Sequence, residues 1–303
     1  MALFRFAFLV CMAYVILYPV LILLSRAFRP MEDMYNPAIV WLPITFTLEN
    51  FTMVMQRLEF WDTLLTTLQV VFFSTVLTVA SCAVTGYGLA RYRLRLGKIY
   101  MLLVVLSIIV PFVVILVPYI EATRNIHFLW LGETLGFMYS GVSRGLTLFG
   151  TPWVYYMPAM LGAGLRSGLF ILLFYQFFRS MPKELESAAR IDGCGEMKTF
   201  LRVMLPNAGA PMLVTAILSF VWYWSDFYIG QFLFTEPIMM SNRLAMVRAS
   251  IYTAGLGGDR PGGEGISVLI FAAALLFIIP PLLLYIVAQR FFMRSVERTG
   301  IVG

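Results

Sequence analysis

Charge is scarce in this chain, and the residue types that build most metal and nucleophilic centres are scarcer. Only 13% of its 303 residues are charged, against about 25% in an ordinary soluble domain. The single histidine, His127, has no cysteine companion and no HExxH context, which excludes the common zinc sites. The three cysteines, Cys11, Cys82 and Cys194, show neither disulfide nor metal-ligand spacing and read as small buried or incidental residues. No GxxxxGK[ST] motif occurs, so nucleotide binding through a P-loop is excluded. The glycine-rich GLGGDRPGGEG lacks the lysine and the spacing of a phosphate cradle and reads as a flexible turn. Low-complexity linkers and internal repeats are missing too, which leaves one membrane domain with an added first helix. After the first apolar run, LLSRAF offers no small-x-small cleavage site, so that run is expected to be a retained anchor.

What remains is apolar: 60% of the residues are hydrophobic. Windows of about 20 such residues, enough to cross a bilayer as a helix, recur at 6–24, 63–90, 99–120, 158–178, 210–232 and 268–288. The expectation is an all-α membrane protein with six transmembrane helices. Residues 1–62 would form the first span and an outer segment, 63–289 the main transmembrane domain, and 290–303 a cytoplasmic tail. With both termini inside, about 13 of the 22 basic side chains fall in short inner segments, RYRLRLGK at 91–98 among them. The positive-inside rule therefore favours an N-in, C-in orientation. In the outer segment, Thr47 suits the N-cap of a short helix over 50–58. The outer loop at 122–157 is rich in Gly, Trp and Tyr, as an interface would be. Pro111, Pro118, Pro280 and Pro281 predict kinks.

One polar stretch interrupts the apolar spans: MPKELESAARIDGCGEMKTFLRVMLP, residues 181–206. Ser180 would cap a helix carrying Pro182 and Glu184 in its first turn. Leu185, Ala188, Ala189 and Asp192 then recur at i, i+3, i+4 and i+7 and make a narrow face of small and apolar groups, with Lys183, Glu186 and Arg190 opposite. Gly193 stands where a left-handed residue would end the helix. A second helix over about 196–204 leads to Leu205 and Pro206. A plain connector needs only a few residues, so two helices with a small-residue face point to a docking knob.

Counted from Ser187, the spacing S-A-A, three residues, Gly193, nine residues, V-x-L-P resembles the EAA loop (EAA-x3-G-x9-I-x-LP) of ABC-importer permease subunits. The flanking PKELE, ARIDG and PNAGAP, with ITFTLENF, GYGLARYRL, VWYWSDF and QRFFMRS elsewhere, are similar to the carbohydrate-uptake branch of that family, the maltose transporter's second membrane subunit included. Ser187 stands where the family has Glu, and Val203 where it has Ile. The resemblance implies a type I importer transmembrane domain in a bacterial cytoplasmic (inner) membrane, non-catalytic and without a cofactor of its own. The implied partners are a second permease subunit, an extracytoplasmic solute-binding protein and an ATPase dimer that holds the ATP and Mg. Residues 180–206 would be the coupling loop seated in an ATPase cleft. Ala188, Ala189 and Gly193 would supply its close-packed surface, with Glu184, Ser187, Arg190 and Asp192 around them, and Leu205 and Pro206 its rigid return.

For the solute, Trp222, Tyr223, Trp224 and Asp226 combine aromatic faces with a carboxylate, the groups that bind sugars. The other reading is an interfacial aromatic belt with Asp226 in a structural hydrogen bond. Arg166, placed inside the fourth window, either snorkels to the outer headgroups or lines a pore. A stand-alone proton- or ion-coupled transporter would call for several buried carboxylates or histidines and inverted repeats, of which the spans contain almost none, and a membrane enzyme for clustered His, Asp, Glu or Cys at one depth, which they lack.

Overall fold

The computed structural model describes residues 2–30, 33, 43–124, 147–234, 236, 238–253 and 264–300. His127, most of the loop expected at 122–157 and residues 255–263 of the glycine-rich stretch lie outside them. Among the described residues every regular element is helical. The chain divides into two compact units, Met1–Thr66 with Ile238–Leu282, and Thr67–Pro237 with Leu283–Gly303.

The first unit begins with α1 (Ala2–Ala27), apolar all round and without an acidic residue in its first turn. None of its apolar window is buried in the protein, as for a helix that faces lipid. Asn50 on α2 (Glu49–Arg57) is buried and donates to the Ala27 and Arg29 carbonyls at 3.0 and 2.7 Å, satisfying carbonyls at and just beyond the C-terminus of α1. Thr47 does not become the N-cap: that residue is Leu48, which makes no side-chain cap, and Thr47 Oγ1 accepts the Glu49 N–H from one position earlier.

The second unit holds most of α3 (Phe60–Arg91) and then a run of shorter helices: α4 (Gly97–Ile109), α5 (Phe112–Arg124), α6 (Trp153–Met160) and α7 (Ser167–Ser180). After them come α8 (Glu184–Ile191), α9 (Glu196–Asn207), α10 (Gly209–Trp224) and α11 (Tyr228–Leu233). Helix α12 (Met240–Thr253) belongs to the first unit, and α13 (Glu264–Gly300) runs unbroken through Pro280 and Pro281.

Among the described residues, three of the six expected spans are continuous helices long and apolar enough to cross a membrane, and the number reaches five if each sharply bent pair counts as one span. The others are broken where the sequence suggested continuity. At Pro111 the chain turns by 110° between α4 and α5, far more than a kink, because Val110 adopts an extended conformation ahead of the proline. The fourth window is interrupted at 161–166, so Arg166 precedes α7 rather than lying within a span. The fifth ends at Trp224 and resumes only as α11.

Close packing around α7 depends on glycine. A Cβ on Gly86 of α3 would stand 2.5 Å from Phe174 Cβ and 2.9 Å from the Tyr175 backbone nitrogen, and one on Gly168 of α7 would strike Ser107 of α4. Helices in lipid gain little from hydrophobic exclusion and associate through such small-residue contacts. Gly88, half a helical turn further on, has open space around it. Gly86→Ala is therefore expected to lower stability by about 1–3 kcal/mol through overpacking, while Gly88→Ala should leave it equal or raise it. Thermal unfolding of the two variants in detergent checks the contrast; equal melting temperatures would remove the packing role assigned to Gly86.

Candidate functional site

The stretch 181–206 forms a helical handle. Helix α8 starts later than expected: its N-cap residue is Lys183, while Ser180 closes α7 with its Oγ donating to the Phe177 carbonyl. Its C-terminus follows the sequence. Gly193 has φ +77°, its N–H bonds the Arg190 carbonyl and the Cys194 N–H bonds the Ala189 carbonyl at 2.9 Å, the paired bonds of a Schellman motif. A side chain at 193 would meet nothing nearby but would be held in a left-handed backbone.

The faces of α8 differ from the sequence expectation at two positions. Glu186 and Ala189 point inward, 8% and 5% exposed, so Ala189 is part of the protein's own packing rather than an open surface, and Glu186 is not on a solvated face. Leu185, Ser187, Ala188, Arg190, Ile191 and Asp192 are exposed, with Ile191 at 86%. With Met197 and Leu201 of α9 they present an outward apolar stripe with polar groups beside it. Ser187 donates to the Lys183 carbonyl and stays within its own helix, and Glu184 is exposed.

Helix α9 widens over Phe200–Met204 into a turn in which the Leu205 N–H bonds the Phe200 carbonyl, five residues back. The widening lies directly before Pro206, whose ring would collide with the Arg202 carbonyl in a regular helix. Leu205 is half-buried against the core, Pro206 is exposed, and the chain then bends by 77° into α10.

The C-terminal end of α3 grips this handle, a set of contacts that the sequence reading missed. Arg91 Nη2 donates to the Met181 carbonyl at 2.8 Å, and its Nε forms a 3.2 Å ion pair with Glu186. Both side chains are nearly buried, at 5% and 11% exposure. The Tyr92 hydroxyl donates to Glu196 at 2.7 Å and Arg190 pairs with Glu196 at 3.1 Å. The Tyr92 bond, followed by Arg190, holds the Glu196 carboxyl below the usual carboxylate range. The sequence signal was there in part: Glu186 is three residues before Ala189, on the same side of the helix.

The solute candidates separate. A cavity of about 850 Å³ lies among α3–α7, α10 and α11, and Arg166 and Tyr223 line it. Arg166 is its only charged lining residue among those described, held at φ +58° with its guanidinium 5.8 Å above the Trp222 ring. Beside it the buried Ser167 Oγ has no hydrogen-bond partner. Tyr223 shares a 2.9 Å hydrogen bond with Thr78. Trp222 packs on Phe170, and Trp224 is buried and stacked on Phe220; neither lines the cavity. Asp226 takes the structural role: its Oδ2 accepts the Tyr155 hydroxyl at 2.9 Å and the Ile229 and Gly230 N–H groups, capping α11. Among the described residues no group of three His, Cys, Asp or Glu could hold a metal.

Apolar helices, repeatedly broken around a cavity and carrying one capped handle, are the parts of a membrane transport component. The chain belongs to the family of binding-protein-dependent transport system inner membrane components, which matches residues 82–298. It is similar to the arabinooligosaccharides transport system permease protein AraQ of Halalkalibacterium halodurans, 26% identical over 301 residues, covering 98% of this chain and 94% of that one. It is also similar to the sn-glycerol-3-phosphate transport system permease protein UgpE of Escherichia coli, 24% identical over 291 residues, covering 93% and 90%. Its fold matches a chain in the crystal structure of a bacterial ABC transporter involved in the import of the acidic polysaccharide alginate, with a TM-score of 0.70, 17% identity and 96% of each chain covered.

The Asp226 geometry generates a prediction. Asp226→Ala leaves a buried tyrosine hydroxyl and two amides without their acceptor, an expected loss of about 2 kcal/mol, whereas Asp226→Asn keeps an acceptor oxygen and should lose less. Melting temperatures in detergent decide; an Asn variant as damaged as Ala would mean that the charge matters more than the cap.

Proposed function

We propose that this chain is a permease subunit of an ATP-driven, binding-protein-dependent importer, and that it forms half of the translocation pathway for a sugar or oligosaccharide. Family membership supports the transport role, and the names of its relatives support a saccharide or polyol-like solute. The observation that carries the coupling role is the handle: a helix of eight residues with a Schellman cap at Gly193 and an outward stripe of Leu185, Ala188 and Ile191. Exposed apolar side chains on a rigid support are what a cleft in another protein takes up.

In this reading the partners are a second permease subunit, an ATPase dimer that holds ATP and Mg, and an extracytoplasmic solute-binding protein. This chain performs no hydrolysis and binds no cofactor. It sits in a bacterial cytoplasmic membrane with six spans, α6 and α7 together counting as the fourth, and with both termini inside, so that the handle and the basic segment at 91–98 share the cytoplasmic face. Glu184, Ser187, Arg190, Asp192 and Gly193 border the docking surface with Ala188, and Leu205 and Pro206 set the return to α10. Arg166 and Tyr223 are the pathway residues, since both border the cavity.

Gly193→Asp should abolish uptake while membrane insertion stays normal, because the new charge disturbs the docking face; the left-handed backbone adds little to the effect, since aspartate is among the residues that visit it. Radiolabelled arabino-oligosaccharide or glycerol 3-phosphate uptake, with immunodetection of the inserted chain and of co-purified ATPase, measures it; full uptake would sink the docking role. Arg166→Ala should change the KM for the transported solute with little loss of assembled complex. Unchanged kinetics would take Arg166 out of the pathway.

A further inference from the structure

A coupling element that is free to pivot would absorb motion instead of passing it on, and α8 is flanked by two soft joints. The first is the extended Met181 and Pro182 link from α7, and the second is the Gly193–Gly195 turn into α9. Each joint is bridged from outside its own backbone. Across the first, Arg91 donates one nitrogen to the Met181 carbonyl and pairs another, by charge at 3.2 Å, with the Glu186 carboxylate, so one guanidinium spans from the end of α7 to the first turn of α8. Across the second, Arg190 of α8 and Tyr92, just beyond α3, converge on Glu196, the first residue of α9. The Tyr87 ring, one turn before Arg91, packs 4.9 Å from Phe200 and 5.4 Å from Phe178, so the widened turn of α9 and the end of α7 rest on the same part of α3.

We propose that Arg91 is a positioning residue that fastens the handle to α3, making the two a single lever along which displacement of the handle is delivered to the membrane-embedded helices. The source of that displacement rests on the docking role proposed above; the fastening itself does not. The pattern accounts for the placement of Glu186. In this chain the docking face carries Ser187 where relatives of the EAA pattern have Glu, while the neighbouring carboxylate is turned inward, where an outside partner could not reach it but Arg91 does. It also separates two roles within one short helix: Leu185, Ala188 and Ile191 face out, and Glu186 and Ala189 face the body of the protein.

The test uses the chain purified with its native partners, with spin labels at Lys183→Cys on the handle and Phe72→Cys on α3 in a background lacking Cys11, Cys82 and Cys194. Pulsed EPR of the otherwise unaltered chain should give one narrow distance that Mg-ATP leaves unchanged, because the two sites move together. Arg91→Gln should broaden the distribution about twofold or more by releasing a local opening, and uptake per ATP hydrolysed should fall about tenfold although the ATPase still co-purifies. Glu186→Gln, which preserves shape and removes only charge, gives the same result if Arg91→Gln fails to assemble. The inference is overturned if the unaltered chain already changes distance on adding Mg-ATP, or if both variants keep the narrow distribution. Should no ATPase co-purify with the unaltered chain, the docking role fails, and the nucleotide-free distributions still decide the fastening.

Discussion

Within hydrocarbon a backbone amide or carbonyl released from its helix has no water to turn to, and the fold of this chain depends on how that requirement is met wherever a helix stops. Side chains from other elements supply the missing bonds. The end of α6 is held by Ser81, which donates to the Ala159 carbonyl at 2.6 Å, and its start by the Tyr119 hydroxyl on the Val154 carbonyl. The break after α10 is covered by Asp226, and the end of α7 by Arg91. Each interruption is thus a junction between helices, and removing its partner would expose a polar group rather than merely loosen a contact.

These junctions also decide where the handle can stand. Helix α7 is held between Gly86 of α3 on one side and α4 on the other, at contacts too close for a side chain on either glycine. Its far end continues into an aromatic cluster of Tyr87, Phe174, Phe178 and Phe200 that includes the first widened residue of α9. Packing therefore runs without interruption from the membrane-embedded helices to the base of the handle. The rings there meet at 4.9–6.2 Å, at which aromatic pairs add about 0.5–1.5 kcal/mol beyond their burial.

Long apolar runs made α1, α3 and α13 legible, since length and composition alone set a spanning helix. The capped turn at Gly193 was legible because only glycine adopts φ +77° at little cost. The breaks were not. Pro111 announces a kink, but the 110° turn depends on an extended Val110 and on which helices pack beyond it, and no local pattern encodes that. The interruption at 161–166 is written as LGAGLR, whose glycines are equally at home in a membrane helix. Asp226 could be given two roles because a carboxylate among aromatics has the same sequence whether it meets a sugar or the start of a helix. Glu186 was assigned to the wrong face because the helical pattern groups residues by side without saying which side meets the body of the protein, and the partner that settles it, Arg91, lies 95 residues away.

Buried ion pairs are weak evidence for stability, since desolvation of both charges offsets much of their attraction, and an apolar pair of similar volume often serves as well. Arg91 and Glu186 have a further reason to be charged. An apolar residue at 91 would fill the space but leave the half-buried Met181 carbonyl, just beyond α7, without its donor. Lysine would offer a single centre, whereas the guanidinium donates one nitrogen to the Met181 carbonyl and brings another within 3.2 Å of the Glu186 carboxylate as an ion pair. Glu186 answers the remaining positive charge, and because it is on the first turn of α8 it also complements the dipole of that helix. One side chain therefore meets both the end of α7 and the first turn of α8, on the face that Glu186 and Ala189 turn toward the body of the protein. A leucine at 186 could fill the same space, but it would leave the nearly buried Arg91 charge without its partner.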